Sequence, residues 1–459
     1  MVPLGAVLAL ISGVAAAHPP AGAEGEAKPW TLEALQAAAQ TADPRVLSAA
    51  AELARMRGHE AEARAARFPG LEWTLEATGP VPELANDPNR LDDVKAGSRL
   101  RTGELGSVGV HGRFGANASW PIFTFGKAEA RQDAAAHSVA ASAGTAQAAR
   151  AQAVRDAAEI YWGYQLARRC LAVLDEADRQ LAGAHERVEN LVAQGSKQVS
   201  KQDLAQLELA RAEVAGRRAE ASAARDLALE SGRVVVGLPS DAPMAFAAAP
   251  LDPPALPLAP LSRYVEIALS RRSEIASAAE TLRSREAVAV ARGRAWYPDL
   301  VAIGFLDLNW TGSATPQTNP FAYDPYNRLW GGLGLALRGT LDLGQSHVAA
   351  QAEAEVSKAR AELELASRSV RLEVARAHAA LRAALERAAR KREEEAAARR
   401  WLAQAELSFD AGVANAQAVL LAALATTRAG TERLAAARDA HLALDDLGLA
   451  MGEDPRSAK

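Results

Sequence analysis

The chain has 459 residues, and its 52 basic and 56 acidic side chains give a formal net charge of −4. So small and evenly spread a charge does not suggest a nucleic-acid partner. The single cysteine, Cys170, excludes an internal disulfide and a cysteine-rich zinc site, and its helical surroundings favour a small buried apolar residue over a nucleophile.

The N-terminus has the features of an export signal. Residues 2–17 form an apolar run that ends in Ala15-Ala16-Ala17, and Ala21-Gly22-Ala23 is a second cleavage candidate. The run is too short for a comfortable transmembrane helix. No Lys or Arg precedes it, and no cysteine directly follows it to carry a lipid. We expect a cleaved signal peptide over residues 1–23.

The first ordered element is a helix followed by a strand. Asp43-Pro44 predicts a helix start, because Asp is a preferred N-cap and Pro suits the first helical position. This helix runs to about Arg67, where Phe68-Pro69 ends it. Residues 71–78 then alternate strictly between apolar and polar types, which predicts a strand.

A loop and a second strand follow. Residues 79–106 are rich in Pro, Gly, Asn and Asp, which is typical of an exposed loop. Alternation resumes over residues 110–120. One face carries Val110, Gly112, Phe114, Ala116, Ala118 and Trp120, and the other carries His111, Arg113, Asn117 and Ser119.

A long helical hairpin comes next. No proline occurs between Pro121 and Pro239, and the Ala-rich tract that opens at Phe125-Gly126 is broken only near Gly195. An unbroken helix over residues 126–194 would be roughly 100 Å long. A return helix is predicted over residues 201–236, and Gly237-Leu238 closes it. Seven of the 22 prolines then fall within residues 239–260, which we interpret as a linker.

The second half repeats this plan. Residues 300–310 predict a strand and residues 311–328 a loop. In the next strand Leu329, Leu333, Leu335, Leu337 and Leu341 share one face, and Arg338, Thr340 and Asp342 share the other. The glycines Gly344, Gly412 and Gly452 lie 218, 217 and 215 residues after Gly126, Gly195 and Gly237. Such spacing predicts a tandem duplication of one whole structural unit.

The helical tracts show seven-residue spacing of apolar residues, which favours coiled-coil packing. The series are Leu174, Leu181 and Val188; Val356, Leu363 and Val370; and Val374 and Leu381. The charged run over residues 390–400 is most simply a solvated helix face with pairs four residues apart.

Four alternating strands that contain half of the eight tryptophans are unusual for a soluble protein. In a transmembrane barrel one face meets lipid and aromatic residues gather at the membrane interfaces. Trp73, Trp120, Trp310 and Trp330 are the candidate interface residues. Four strands cannot close a membrane barrel, so several chains would have to share one. The alternative is a small antiparallel sheet packed on the helices.

No catalytic or metal-binding motif is present in the sequence. The eight histidines are scattered without HExxH spacing, and GxSxG, Walker and strand-flanked GxGxxG motifs are absent. We therefore expect neither an enzyme nor a cofactor or bound metal.

The ordered pattern resembles the outer-membrane efflux protein family, the TolC-like channels. The resemblance rests on the repeated order of aromatic-Pro, strand pair, glycine-bearing hairpin and closing glycine, with Trp120-Pro121-Ile122-Phe123-Thr124-Phe125-Gly126 matched by Leu341-Asp342-Leu343-Gly344. It implies a fold that is mainly α with a membrane β-barrel. Three chains, each with two repeats, would form a 12-strand barrel and a 12-helix periplasmic conduit for gated, passive export.

The resemblance also implies partners and sites. The partners would be a periplasmic adaptor, an inner-membrane transporter of the RND or ABC type, and outer-membrane lipid. The hairpin tips that dock the adaptor would be Gly195, Ser196, Lys197, Gly412, Val413, Ala414 and Asn415. Candidate pore-lining residues are Lys201, Asp203 and Gln417, although Asp203 could equally belong to a solvated helix face. Some members carry an acidic pair after the second tip, where this chain has Ala418 and Leu421.

The implied organisation is a signal peptide (1–23), a first repeat (24–238), a Pro-rich linker (239–260), a second repeat (261–452) and a short tail (453–459). A soluble periplasmic coiled-coil adaptor or scaffold is the alternative. Adaptors carry one helical hairpin with one set of closing glycines, whereas this sequence predicts two hairpins, each after a strand pair.

Overall fold

The computed structural model describes residues 29–82, 84–85, 99–100, 108–195, 199–312 and 327–455. The predicted signal peptide, most of the two predicted loops, and Ser196 and Lys197 lie outside these residues. Within the described residues the chain is mainly helical, with one main antiparallel sheet.

The first half of the chain contains two helices, a strand pair and a long helical hairpin. Its elements are α1 (Leu32–Ala42), α2 (Pro44–Ala65), β1 (Gly70–Pro82), β2 (Leu84–Ala85), β3 (Arg99–Leu100), β4 (Val108–Phe123), α3 (Lys127–Ala193) and α4 (Lys201–Val236). Asp43 caps α2 by accepting a hydrogen bond from the Arg45 backbone N–H at 2.8 Å, and Pro44 occupies the first turn.

The second half follows the same order. Its elements are α5 (Leu261–Arg271), α6 (Ser273–Gly293), β5 (Asp299–Thr311), β6 (Arg328–Arg338), α7 (Gln345–Asp410) and α8 (Ala416–Met451). The two long helices, α3 and α7, have 67 and 66 residues, and the two return helices have 36 each. The predicted plan of two repeats, each with a strand pair and a helical hairpin, is confirmed.

The strand pairs of the two repeats join in one sheet. Its order is β1-β4-β5-β6, and every neighbouring pair is antiparallel. The junction between the repeats is the β4–β5 ladder, which runs from His111 opposite Thr311 to Phe123 opposite Leu300. Strands distant in sequence are therefore adjacent in space.

The apolar core is divided into clusters along the helices. The predicted heptad residues Leu174, Leu181 and Val188 are buried with α4, and Val370, Val374 and Leu381 are buried with α8. Val356 and Leu363 are only half-buried. A third cluster joins α1, α3 and the linker, where Trp30 pairs with Phe246 through an isolated bridge.

Three details differ from the sequence-based expectations. β1 continues to Pro82 and is followed by the short β2–β3 pair, so the region 79–106 is not all loop. β6 ends at Arg338, and Thr340, Leu341 and Asp342 lie beyond the strand. The first ordered element starts before the predicted helix start at Asp43, since Thr31 caps α1 through its side chain.

Candidate channel surfaces

The sheet has one apolar face, which points away from the rest of the chain. The cross-strand register places on this face Leu71, Trp73, Leu75, Trp120, Leu306, Leu308, Trp310, Leu329, Leu333, Leu335 and Leu337. Each is at least 38 % exposed, and Leu333 is 95 % exposed. An exposed apolar surface of this extent marks a membrane or protein contact rather than a surface in water.

The opposite, polar face carries hydrogen-bonding and charged side chains. Arg113 on β4 forms an ion pair with Asp307 on β5 at 2.9 Å. His111 and Thr311 join the same two strands by a hydrogen bond of 2.7 Å. This alternation suits a wall with lipid on one side and water on the other.

The outer sides of β1 and β6 have no partner strand among the described residues, because these two strands lie at the edges of the sheet. β1 has 13 residues and β6 has 11. Long edges with unpaired N–H and C=O groups readily pair with another chain. β1 and β6 run in opposite directions, so β6 of one copy can form an antiparallel pair with β1 of another copy.

Three of the four predicted interface tryptophans share the apolar face. Trp73 and Trp120 lie near the helix end of the sheet, and Trp310 lies near the loop end. The Trp120 indole N–H donates a hydrogen bond to the Arg67 carbonyl at 2.9 Å. The Trp310 ring covers Gly112, where a Cβ atom would lie 2.0 Å from the ring.

Trp330 requires a correction. It lies directly opposite Asp307 in the β5–β6 ladder, and its side chain is therefore on the polar face. The residue type suggested an interface role, but the parity set by Leu329 and Leu333 on β6 already predicts the opposite face.

A buried lysine joins the sheet to the helices. Lys127, at the start of α3, is 8 % exposed, and its ammonium group donates a hydrogen bond to the Tyr297 carbonyl at 2.7 Å. It also pairs with Asp299 at 2.9 Å. Phe125 just before it has a φ of 54° and stacks on Tyr297 at 5.3 Å between ring centroids. The two halves are thus locked together where strands become helices.

Both hairpin tips turn at the predicted glycines. Gly195 and Gly412 have φ values of 73° and 75°, in the left-handed region that favours glycine. Asn415 caps α8 by accepting a hydrogen bond from the Ala418 N–H at 3.0 Å. Val413 is 84 % exposed at the second tip, beside the half-buried Ala414. An apolar side chain held in solvent at a turn suits contact with a partner.

The three candidate pore-lining residues follow the tips. Lys201 and Gln417 are exposed in the first turns of α4 and α8. Asp203 and Ser200 form a capping box at the start of α4. The backbone N–H and the hydroxyl of Ser200 donate hydrogen bonds to the Asp203 carboxylate at 2.7 and 2.8 Å. The structure therefore gives Asp203 a capping function, which the sequence analysis did not anticipate.

The two hairpins touch near their tips. Leu420 of α8 is buried in the apolar cluster of the first hairpin, which includes Leu207 and Val214. Within the second hairpin, Lys391 pairs with Glu432 at 2.5 Å.

The charged run over residues 390–400 is not only a solvated face. Glu395 is 9 % exposed and pairs with Arg433 on α8 at 2.8 Å. Part of this run therefore links α7 to α8, although Arg390 and Glu393, three residues apart, pair at the surface.

Cys170 is half-buried in α3, beside an apolar cluster that contains Leu251, Leu434 and Ala437. Burial raises the pKa of its thiol to about 11, so the unreactive thiol form prevails at neutral pH. The described residues contain no group of three or more His, Cys, Asp or Glu side chains arranged to hold a metal ion. None of the helices in the described ranges combines the length and apolar character needed to cross a membrane.

The fold defines a class of protein in which two tandem repeats build a small sheet and a long double hairpin. The family model for the outer membrane efflux protein matches residues 35–230 and 264–453. The chain belongs to the outer membrane efflux protein family, which makes it an outer-membrane efflux channel. No functionally curated protein matches the sequence significantly.

Solved structures of outer-membrane channels share the fold. CusC superposes with a TM-score of 0.74 at 16 % identity, with 92 % of each chain covered. VceC from Vibrio cholerae gives 0.71 at 20 % identity, covering 92 % of this chain and 96 % of that one. The MtrE outer membrane channel of Neisseria gonorrhoeae gives 0.72 at 18 % identity, covering 93 % and 90 %. The soluble adaptor alternative is not favoured.

Proposed function

We propose that three copies of this chain assemble into one channel that spans the outer membrane and extends through the periplasm. The observation that carries the proposal is the four-stranded sheet with two open edges and one exposed apolar face. Three such sheets supply twelve strands, which exceeds the minimum of about eight for a membrane barrel. Pairing between β6 of one copy and β1 of the next leaves no edge strand unpaired in the ring of three sheets.

The four long helices of each chain, α3, α4, α7 and α8, form the periplasmic conduit, twelve helices in the trimer. The exposed apolar residues on α4 and α7 support contacts between neighbouring copies, among them Leu209 and Leu227 on α4 and Leu365 and Leu407 on α7. The apolar face of the sheet meets lipid, with Trp73, Trp120 and Trp310 at the membrane interfaces. The polar face lines the water-filled lumen.

Export through this conduit is passive and gated at the hairpin tips. A periplasmic adaptor contacts the hairpin tips and connects the channel to an inner-membrane transporter of the RND or ABC type. The tip residues that it contacts are Gly195, Ser196, Lys197, Gly412, Val413, Ala414 and Asn415. Lys201, Asp203 and Gln417 line the pore just above the tips. Opening breaks the contacts that hold the two hairpins together, such as those of Leu420. The free-energy difference between two such conformations is typically a few kcal/mol.

The proposed organisation of the chain is a cleaved signal peptide (1–23), repeats over residues 24–238 and 261–452, a linker (239–260) and a tail (453–459). The proposed linker lies against the first repeat, because Gln165 of α3 donates a hydrogen bond to the carbonyl of Ala247 in the linker at 2.7 Å.

The test is ion conductance of the purified mature protein in planar lipid bilayers. Long-lived conducting events that become more frequent when the tip contacts are weakened support a gated channel. A protein that inserts and never conducts, even after the tip contacts are removed, refutes the proposal.

A further inference from the structure

The apolar face of the sheet ends, toward the helices, in a cluster of three exposed aromatic rings. Phe123 is the last residue of β4 and lies opposite Leu300, which in turn pairs with Leu337 of the apolar face. The Phe123 ring meets the Phe125 ring edge to face, with centroids 4.7 Å apart, and Phe125 stacks on Tyr297. Phe123, Phe125 and Tyr297 are 53, 38 and 53 % exposed. The rings thus continue the surface that meets lipid in the proposed channel.

A guanidinium lies beside this cluster. Arg294 is the exposed C-cap residue of α6, and its guanidinium lies so close to the Gly126 backbone that a Cβ atom there would collide with it. Gly126 directly follows Phe125, and the Tyr297 backbone N–H donates a hydrogen bond to the Arg294 carbonyl at 3.1 Å. The positive charge therefore lies at the edge of the aromatic cluster, where the strands join the helices.

The acids near this guanidinium already have partners. No carboxylate of the described residues forms an ion pair with Arg294, and Arg292 on the same helix end is also exposed. The acids within residues 123–129, 292–299 and 338–345 are instead bound as follows: Asp299 to Lys127 at 2.9 Å, Glu129 to Arg67 at 3.0 Å, and Asp342 to the backbone N–H of Gly344 at 2.8 Å. The end of α6 is therefore a positively charged edge next to an apolar surface.

We propose that Arg294, Phe123, Phe125 and Tyr297 form a binding site for the headgroup of an anionic phospholipid in the membrane leaflet that faces the periplasm. The site rests on the proposed function, which places the apolar face in lipid and the helices in the periplasm. A guanidinium pairs with a phosphate through two hydrogen bonds. Aromatic rings are favoured at the boundary between acyl chains and headgroups. All four residues belong to one chain, so the site does not need a neighbouring copy.

The charge of the site favours an anionic lipid over a zwitterionic one. In phosphatidylcholine the quaternary ammonium group of the lipid itself compensates the phosphate. Phosphatidylglycerol carries no cation, so its phosphate keeps a full negative charge for the guanidinium. A basic residue close to a membrane surface gains about 1 kcal/mol from anionic lipids, which is about fivefold in affinity.

The experiment measures the lipid retained per chain by the detergent-purified protein in native mass spectrometry. Phosphatidylglycerol and phosphatidylcholine with the same acyl chains are titrated in turn, and inorganic phosphate is tested as a competitor that has the charge without the acyl chains. The test variants are Arg294→Gln and Tyr297→Leu. The matched control is Arg338→Gln, which removes an exposed arginine at the same end of the strands but on the other face, opposite Asp299.

We expect the wild-type protein to retain phosphatidylglycerol at lower concentrations than phosphatidylcholine. Arg294→Gln should raise the half-saturating concentration of phosphatidylglycerol about fivefold and leave that of phosphatidylcholine nearly unchanged. Tyr297→Leu should weaken both lipids, because the ring contacts the boundary region whatever the headgroup, and Arg338→Gln should bind like the wild type. Equal retention of the two lipids by the wild type, equal weakening by Arg294→Gln and Arg338→Gln, or displacement by an equal concentration of inorganic phosphate would overturn the site.

Failure of the channel is distinguishable from failure of the site. A protein that inserts and never conducts refutes the channel, but the lipid titration still measures the site in each chain. A preference for phosphatidylglycerol that Arg294→Gln removes supports the site in either case, and a preference that persists in this variant contradicts it. Unchanged retention of phosphatidylcholine shows that the variant is folded, and the wild-type preference tests the site without any variant.

Discussion

Leu420 and Leu421 are neighbours in α8 but lie in opposite environments. Leu420 is 9 % exposed and belongs to the apolar cluster of the first hairpin, whereas Leu421 is 51 % exposed. Shortening each leucine in turn therefore distinguishes two effects. One is the loss of the contact between the hairpins, and the other is the general effect of a shorter side chain near the second tip.

Leu420→Ala should loosen the second hairpin from the first. Buried Leu→Ala changes cost about 2–5 kcal/mol, and here part of that energy holds the two hairpins together. We expect a higher open probability in planar bilayers, with Leu421→Ala close to wild type. An equal response of the two variants would show that Leu420 has no special part in closure.

Leu335→Arg should prevent stable insertion of the sheet, because Leu335 lies on the apolar face in the middle part of β6. An arginine on the lipid face near the bilayer midplane costs about 2–4 kcal/mol. Ala336→Arg, one residue further on the polar face, is the matched control. The yield of protein in the outer-membrane fraction should fall for Leu335→Arg alone. A larger loss for Ala336→Arg would mean that the faces are assigned the wrong way round.

Gly112→Ala should displace Trp310, because the new methyl group would occupy the position of the indole ring. Such overpacking typically costs about 1–3 kcal/mol. Gly115→Ala on the same strand meets nothing within 4 Å and serves as the control. The midpoint of thermal unfolding in detergent should fall for Gly112→Ala and stay near the wild-type value for Gly115→Ala. An unchanged unfolding midpoint for Gly112→Ala would contradict the close packing of the Trp310 ring against Gly112.

The link between α7 and α8 should weaken in acid. Hydrogen bonds from Arg428 at 2.8 Å and Lys391 at 2.5 Å hold the pKa of Glu432 below its ordinary value of 4.5. The ionised carboxylate therefore stabilises the folded state above that pH, and the contribution disappears as the pH falls through the lower, folded pKa. Glu432→Gln should reduce the free energy of unfolding at pH 7 and flatten its decrease in acid.

Urea unfolding followed by helical circular dichroism at a series of pH values measures this effect. Glu406→Gln, at an exposed acid on α7, is the control and should keep the wild-type pH dependence. A Glu432→Gln curve parallel to that of the wild type would remove Glu432 from the acid response.

Much of the fold was predictable because its signals are local. The glycines at 195 and 412, the absence of proline from the long helices and the alternation in β1 and β4 fixed the hairpins and strands. Contacts such as Lys127 with Asp299 and Leu420 with the first hairpin were not predictable, since they join residues far apart in the sequence. The role of Asp203 could not be assigned from the sequence for another reason, because an aspartate at this position can cap a helix, line a pore or do both.

We propose that three chains close one barrel. The molar mass of the mature protein, extracted from the outer-membrane fraction in detergent and corrected for bound detergent by light scattering, tests it most directly. We expect particles of three chains. A monomer or dimer recovered from the soluble periplasm would contradict it, because four strands with two open edges cannot close in lipid.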